Sequence, residues 1–176
     1  MNNFALALLV ISTAVLAACS VTSSGHKHAD PFAVGEAFYL DREYLKALDP
    51  LLEAAKNGNG RANYLLGEMH ELALGVSQSE ALATTFYLAA AQQGYGDAQY
   101  KIASRYESGT YVPRDKTEAL KWYLLASENP TSNPKFKGVS AMHISLFLQI
   151  TVDNCPTCKE QLRDAEARAA AWKQAY

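Results

Sequence analysis

Between Asp97 and Ser127 small and apolar residues recur every three or four positions in two blocks, Ala98, Ile102, Ala103 and Tyr106, then Ala119, Leu120, Tyr123 and Leu124. That is the spacing of two amphipathic helices. Gly109 offers left-handed backbone at low cost where the first helix stops, and Asp115 with Glu118 three places on gives the second a capping-box-like start. A unit this short cannot bury its own apolar face and needs a neighbour built like itself. Such a neighbour lies 36 positions earlier: Ala62, Tyr64, Glu71, Ala83, Tyr87, Leu88 and Ala90 align with Ala98, Tyr100, Glu107, Ala119, Tyr123, Leu124 and Ala126, while Leu66 and Phe86 align with Ile102 and Trp122. One more step places Ala47, Leu52, Ala54, Ala55, Gly58 and Gly60 under Ala83, Leu88, Ala90, Ala91, Gly94 and Gly96. The chain is therefore expected to be all-α, with stacked helix-turn-helix units, one partial and two full, over residues 30–128.

In chain order, Asp30 and Pro31 mark a helix start, Asp as N-cap and Pro at the first helical position. The pattern predicts helices over Phe32 to Leu40 and Glu43 to Asn57. Pro50 either kinks the second or leaves Asp49 to cap a shorter one. Further helices are predicted over Arg61 to Leu74 and from about Ser79 to Gln93, where Ser77 with Glu80 and Ser79 alone are competing starts. After Ser127 the register is lost. Glu128 to Gly138, with Pro130 and Pro134, reads as a loop. Val139 to Thr151 reads as a helix apolar almost all round, through Met142, Ile144, Leu146, Phe147, Leu148 and Ile150, which implies burial between neighbours. Thr157 and Glu160 form a capping box for a last helix with an apolar stripe of Leu162, Ala165, Ala169 and Trp172. Its polar outer face suits the end of a stack, so residues 129–176 are expected to form a C-terminal capping helix pair.

The N-terminus has a different pattern. Phe4 to Leu16 is apolar except for Ser12 and Thr13, too short for an ordinary membrane span and followed by small residues, as in a secretory signal. Met1-Asn2-Asn3 before it carries no Lys or Arg. Leu16-Ala17-Ala18-Cys19 resembles the lipobox of bacterial lipoproteins, which implies a signal peptide over 1–18, acylation of Cys19 and attachment to a membrane through that anchor. Ser20 at the next position resembles lipoproteins forwarded to the outer membrane. Residues 19–29, polar and small, read as a flexible tether. A formal net charge of -2 and the lack of a basic stripe argue against a nucleic-acid partner.

AQYKIASRY followed by SGTYVPRDKTEALKWYLLA resembles the Sel-one-like repeat, a relative of the tetratricopeptide repeat. ANYLLGEMHELALGV with FYLAAAQQG resembles a second copy, and YLKALDPLLEAAKNG a partial one at the front. Leu74 and Tyr111 stand where small residues or glycine are common in that family, which affects turn shape more than fold. The tail ITVDNCPTCKEQLRDAEARAAAWKQ resembles the helical cap that often follows such arrays. The family implies an α/α solenoid with protein-binding faces, and no reaction.

Candidate chemistry is sparse, and no catalytic residue, metal ligand or cofactor is assigned. Cys155-Pro156-Thr157-Cys158 is spaced like a redox motif but without the βαβ setting that chemistry uses. A structural disulfide between Cys155 and Cys158 is the expected state, with free or metal-bound thiols and a thiol oxidoreductase as alternatives. His26 and His28 read as tether histidines. His70-Glu71 begins like a metalloprotease helix, but the second histidine would fall at Leu74. Gly138-Val139-Ser140-Ala141 lacks the closing glycine of a nucleophile elbow, and Ser132 to Lys135 matches Ser-x-x-Lys without the partner motifs of β-lactamases. Trp122, Tyr123, Phe86 and Tyr87 read as core. Glu68, Met69 and Glu71 on one first helix, with Lys101, Ser104 and Arg105 on the next, are residues that packing does not require; stacked first helices would join them in one mixed-charge surface for a protein or peptide.

These readings converge on a lipid-anchored interaction module of the bacterial cell envelope, facing the periplasm and expected at the outer membrane. A narrower form is an immunity lipoprotein that neutralises a secreted toxin such as a lipase, as some relatives do.

Overall fold

The computed structural model describes residues 30–175. The first two pairs of helices are α1 (Pro31–Leu40) with α2 (Tyr44–Lys56) and α3 (Gly60–Glu71) with α4 (Glu80–Gln92). They are followed by α5 (Gly96–Ser108) with α6 (Lys116–Glu128), then α7 (Pro134–Asn154) and α8 (Pro156–Ala175), and no strand occurs among the described residues. Each of the first three pairs packs as a hairpin, and the pairs stack in order, making the α/α solenoid that the 36-residue pattern requires. Cys19 and the segments 1–18 and 19–29 lie outside the described residues.

The stacking rests on a small residue of each first helix lying against a large residue of the second. Gly35 approaches Leu51 so closely that a Cβ would sit 2.8 Å from its side chain, and a Cβ on Gly67 would sit 2.6 Å from the Tyr87 ring. Leu51, Tyr87, Ala47, Ala62, Ala83, Ala98 and Ala103 are all fully buried. Closely spaced helices of this kind need short side chains on one wall so that the long ones opposite can interdigitate.

The polar groups repeat with the same period. Asn63 Nδ2 donates to Gln93 Oε1 at 2.9 Å, and Asn129 Nδ2 donates to Gln99 Oε1 at 2.9 Å. Residues 63 and 93 recur 36 places later as 99 and 129 with asparagine and glutamine exchanged, so the chain conserves the amide pair while swapping which helix supplies the longer arm. Both Asn63 and Gln99 are buried, where an unpaired amide would cost about 1–3 kcal/mol.

The turns show how the path is fixed. Gly58 and Gly94, 36 positions apart, both take left-handed backbone after the second helix of a pair, at φ 84° and 80°. Inside a pair, Ala73 (φ 56°) and Gly75 (φ 69°) correspond to Gly109 (φ 79°) and Tyr111 (φ 59°). Each turn thus has two left-handed positions and a glycine at only one of them. Tyr111 keeps the handedness of Gly75, so the departure noted in the sequence leaves the turn shape unchanged. Position 130, next in the series after 58 and 94, is Pro130, whose ring fixes φ near −65° and forbids that turn. The array's register ends there for this reason.

Several boundaries differ from the sequence reading. Helix α2 runs through Pro50, and Asp49 caps nothing: burial of Ala47, Leu51 and Ala54 on the same stripe offsets the lost backbone bond. Helix α3 stops at Glu71, short of Leu74, because Ala73 turns left-handed. Ser79 is the N-cap of α4 and accepts from the Leu82 N–H, which decides against Ser77. Asp115 Oδ1 accepts from the Thr117 and Glu118 N–H groups, but Glu118 turns away to Lys121 and Arg168, so the box is only half formed. Pro134 to Gly138 is helical, not loop, because Asn133 caps it by accepting from the Lys135 N–H with Pro134 at the first position. Thr157 lies inside α8, after Pro156, and is not its cap.

The largest correction concerns α7. Its apolar girth implied burial on all sides, yet Met142 is 60% exposed and Leu146 is 55% exposed. The two terminal helices barely touch each other; both lie on α6. Helix α8 seats the buried Ala165 and Ala169 there, sets Trp172 edge-on to Trp122, and pairs Arg168 with Glu118 and Lys173 with Glu128. Among the described residues, helix α7 therefore lacks the second helix that every earlier first helix has.

Glycine placement gives a direct test. Gly67→Ala drives a methyl into a Tyr87 ring with no room to swing and should destabilise the chain by about 1–3 kcal/mol in denaturant unfolding. Gly138→Ala meets nothing within 4 Å inside α7 and should stabilise it by about 0.5–1 kcal/mol.

Candidate functional site

The end of α3, the start of α4 and the middle of α5 bring four charges together. Glu71, at the last position of α3, accepts from the Tyr87 hydroxyl at 2.8 Å, Lys101 Nζ at 2.6 Å and Arg105 Nη2 at 3.1 Å. Arg105 Nη2 also donates to Glu80 Oε2 at 2.9 Å, so one buried guanidinium spans two carboxylates. Both cations lie over the Tyr87 ring, at 5.3 and 5.6 Å from its centre. Burial alone would raise the Glu71 pKa, but the hydrogen bonds from Lys101 and Tyr87 and the charges of Lys101 and Arg105 outweigh it and hold it below the usual carboxylate value. Burial pushes the Tyr87 hydroxyl up, reinforced by its bond to Glu71, so it stays a neutral donor.

A shallow groove of about 530 Å³ opens beside this cluster. Its charged wall is Glu71, Glu80, Lys101 and Arg105, and Ser104 adds an exposed hydroxyl. Aromatic residues complete its lining: Tyr100 stacks on Phe136 of α7 with ring centres 4.6 Å apart, and Tyr111 is 60% exposed. Four of the six contact candidates thus meet in one place. Glu68 lies one turn back, accepting from the Tyr39 and Tyr64 hydroxyls at 3.1 and 3.0 Å. Met69 is fully buried and offers no surface. Glu80, Tyr100, Tyr111 and Phe136 were not among the candidates. A signal for the cluster existed in the identical spacing of Glu71 to Tyr87 and Glu107 to Tyr123, whereas Phe136 sits in residues that read as loop.

The remaining candidate groups have structural roles. Cys155 and Cys158 are joined by a disulfide with Cα atoms 5.2 Å apart, at the junction of α7 and α8. The His70 ring stacks on Phe86, and its Nδ1 lies 3.3 Å from the Ser77 carbonyl oxygen. Ser132 is buried and its hydroxyl donates to the Ala126 carbonyl, and Ser140 is fully buried, so neither is placed as a nucleophile. Trp122, Tyr87 and Tyr123 are in the core and Phe86 packs against it. No group of three or more His, Cys, Asp or Glu residues able to hold a metal occurs among the described residues. His26 and His28 lie outside them.

The family comparison agrees with this arrangement. The Sel1 repeat matches residues 60–95 and 96–130, which are α3 with α4 and α5 with α6 and the turns that follow them. The chain carries two Sel1 repeats. The groove lies at the junction of the two Sel1 units, while α1 with α2, which pack as the other pairs do, precede the matched residues. Among solved structures the chain resembles a Sel1 repeat protein from Oxalobacter formigenes, with 28% identity, a TM-score of 0.58, and coverage of 76% of this chain and 54% of that one. It shares the fold of a protective antigen present in uropathogenic Escherichia coli strains, a protein displaying an SLR fold, with 24% identity, a TM-score of 0.65, and coverage of 83% of this chain and 30% of that one. The chain thus spans about half the length of the first and less than a third of the second. No curated protein matches.

The cluster's energetics can be measured through pH. Because Glu71 is held below its unfolded value of 4.5, its contribution is present above that pH and is lost as pH falls through the lower folded value. Glu71→Gln should cost about 1–3 kcal/mol at neutral pH. The stability difference between wild type and variant should shrink on acidification below about pH 4.5, as read by urea unfolding at several pH values.

Proposed function

We propose that this chain is a protein-binding module whose groove at the junction of its two Sel1 units receives a segment of a partner protein. The observation that carries this reading is the groove itself, which combines the aromatic Tyr100, Phe136 and Tyr111 with charged residues already neutralised internally. A neutralised wall costs little to cover, and exposed aromatic rings supply contact area at low entropic cost. We read the molecule as a binder and not an enzyme: the polar groups of the groove are engaged in holding helices together, and the cysteine pair is a structural link.

The module is proposed to stand in the bacterial cell envelope, lipid-anchored at Cys19 and facing the periplasm, with Ser20 favouring the outer membrane. The lipobox-like LAAC supports this, and Cys19→Ala should release the protein from membranes in fractionated cells.

Crosslinking in intact cells, with identification of the captured protein, tests the binding reading. A single species lost on Tyr111→Ala and Phe136→Ala would support it. A resident envelope protein would make the module an adaptor, and a secreted lipase captured one-to-one would make it an immunity lipoprotein. Crosslinks indifferent to the groove variants would argue against the assignment. Replacing both Cys155 and Cys158 by serine should lower stability by about 2 kcal/mol and leave partner capture intact. Thiol exchange that disappears with that change would instead reveal an oxidoreductase.

A further inference from the structure

The cluster around Glu71 has a counterpart one layer on, and the counterpart is incomplete. There Glu107 accepts from the Tyr123 hydroxyl at 2.8 Å, as Glu71 does from Tyr87. His143 of α7 takes the place of Arg105: its ring stacks on Tyr123 with centres 4.6 Å apart, and its Nδ1 lies 3.3 Å from Glu107. An imidazole is shorter than an arginine, so it covers only the Glu107 half of the site. In the other half the residue equivalent to Glu80 is Lys116, of opposite charge, and Thr84 is replaced by Leu120.

What remains is a pocket of about 190 Å³. Its apolar lining is Ala119, Leu120, Leu146 and Phe147, and the exposed Arg114 and Lys116 border it. Arg114 is held there because its Nε donates to the Glu107 carbonyl oxygen at 3.0 Å. Neither Arg114 nor Lys116 has an ion-pair partner among the described residues, whereas Glu107 is bonded to both Tyr123 and His143. A dry apolar cavity of roughly 150 Å³ is enough to hold a benzene ring. The pocket lies in the seam between α6 and α7, where Lys116, Ala119, Leu120 and Tyr123 face His143, Leu146 and Phe147.

Resting on the reading of the chain as a protein-binding module, we propose that this pocket takes a large apolar side chain, phenylalanine or leucine, from a partner segment whose neighbouring acidic residues pair with Arg114 and Lys116. The site recognises an apolar anchor in an acidic context and discriminates against a basic one, because Lys116 stands where the preceding layer has a carboxylate.

The test uses the full chain, isotope-labelled, and three acetylated, amidated pentapeptides: phenylalanine flanked on each side by two glutamates, the same with alanine at the centre, and the same with lysines in place of the glutamates. The expected result is saturable shifts of the Leu120 and Leu146 amides with the acidic phenylalanine peptide. The alanine and lysine peptides should bind at least fivefold more weakly, and Lys116→Glu should weaken the acidic peptide by at least fivefold. An acidic residue in the first turn of α6 suits the helix dipole, so that variant folds; Leu146→Glu, at an exposed position, is the second variant and should have the same effect. Equal affinity for the three peptides, indifference to both variants, or no saturable binding overturns the proposal. A cellular partner captured equally by wild type and Lys116→Glu, with no peptide binding, removes this pocket and leaves the module reading standing. Peptide binding as described with no partner captured sustains the pocket and removes the module reading.

Discussion

The approach of a small residue to a large one inside each helical hairpin is the constraint on which the rest of the structure depends. Gly67 beneath Tyr87 allows the two helices of that pair to come close enough for the tyrosine ring to be wholly buried. Burial then carries the phenolic hydroxyl to the end of α3, where Glu71 meets it. The carboxylate, drawn into a half-buried position, becomes the centre on which Lys101 and Arg105 of the next layer converge. One contact of shape thus sets the depth of a charge, and that charge ties neighbouring units. Stacking by apolar area alone would permit sliding along the seam; the Glu71 bonds fix the offset between layers.

Most of the fold was legible because the repeat encodes it redundantly. Alanines at 62, 83, 98 and 119 define the packing stripes, and glycines at 58 and 94 mark identical turns. Contact candidates were legible where a polar residue lay on the stripe edge, as Glu71, Lys101 and Ser104 do. Met69 was misread because periodicity identifies a helix face without identifying what covers it, and Met69 lies fully buried. Helix α7 was misread for the converse reason. Its apolar residues imply a cover on each side, but α8, the helix that would have supplied one, crosses to α6 instead. Local sequence carries no record of that choice, which depends on the buried Ala165 and Ala169 fitting α6 and on ion pairs from Arg168 and Lys173.

Amide exchange between the two repeats bears on how such arrays diverge. The pair Asn63 with Gln93 and the pair Gln99 with Asn129 make the same bond from opposite sides, and Ala73 with Gly75 against Gly109 with Tyr111 exchange the glycine between two left-handed positions. In each case the sum is kept and the assignment is not. Total side-chain length across the amide bond, and one glycine per turn, are the quantities the geometry requires. A position-by-position comparison of the repeats would score all four sites as mismatches.

The same logic explains why the last layer differs in kind. At Pro130 the left-handed turn becomes impossible, so α7 enters through the Asn133 cap, tied back to α5 by the bond from its N–H to Asp97 at 2.5 Å. That entry brings His143, instead of a long cation, to the Tyr123 face. A closed array would need an arginine there and a carboxylate at 116, as the preceding layer has in Arg105 and Glu80. The chain has neither, and it keeps apolar residues along α7, Met142 and Leu146, that no described helix covers. Solubility of a stack's end is ordinarily secured by a polar cap. Among the described residues α8 supplies that cap over α6 alone, leaving the α7 side apolar through Leu146 and Phe147 and positively charged through Arg114 and Lys116.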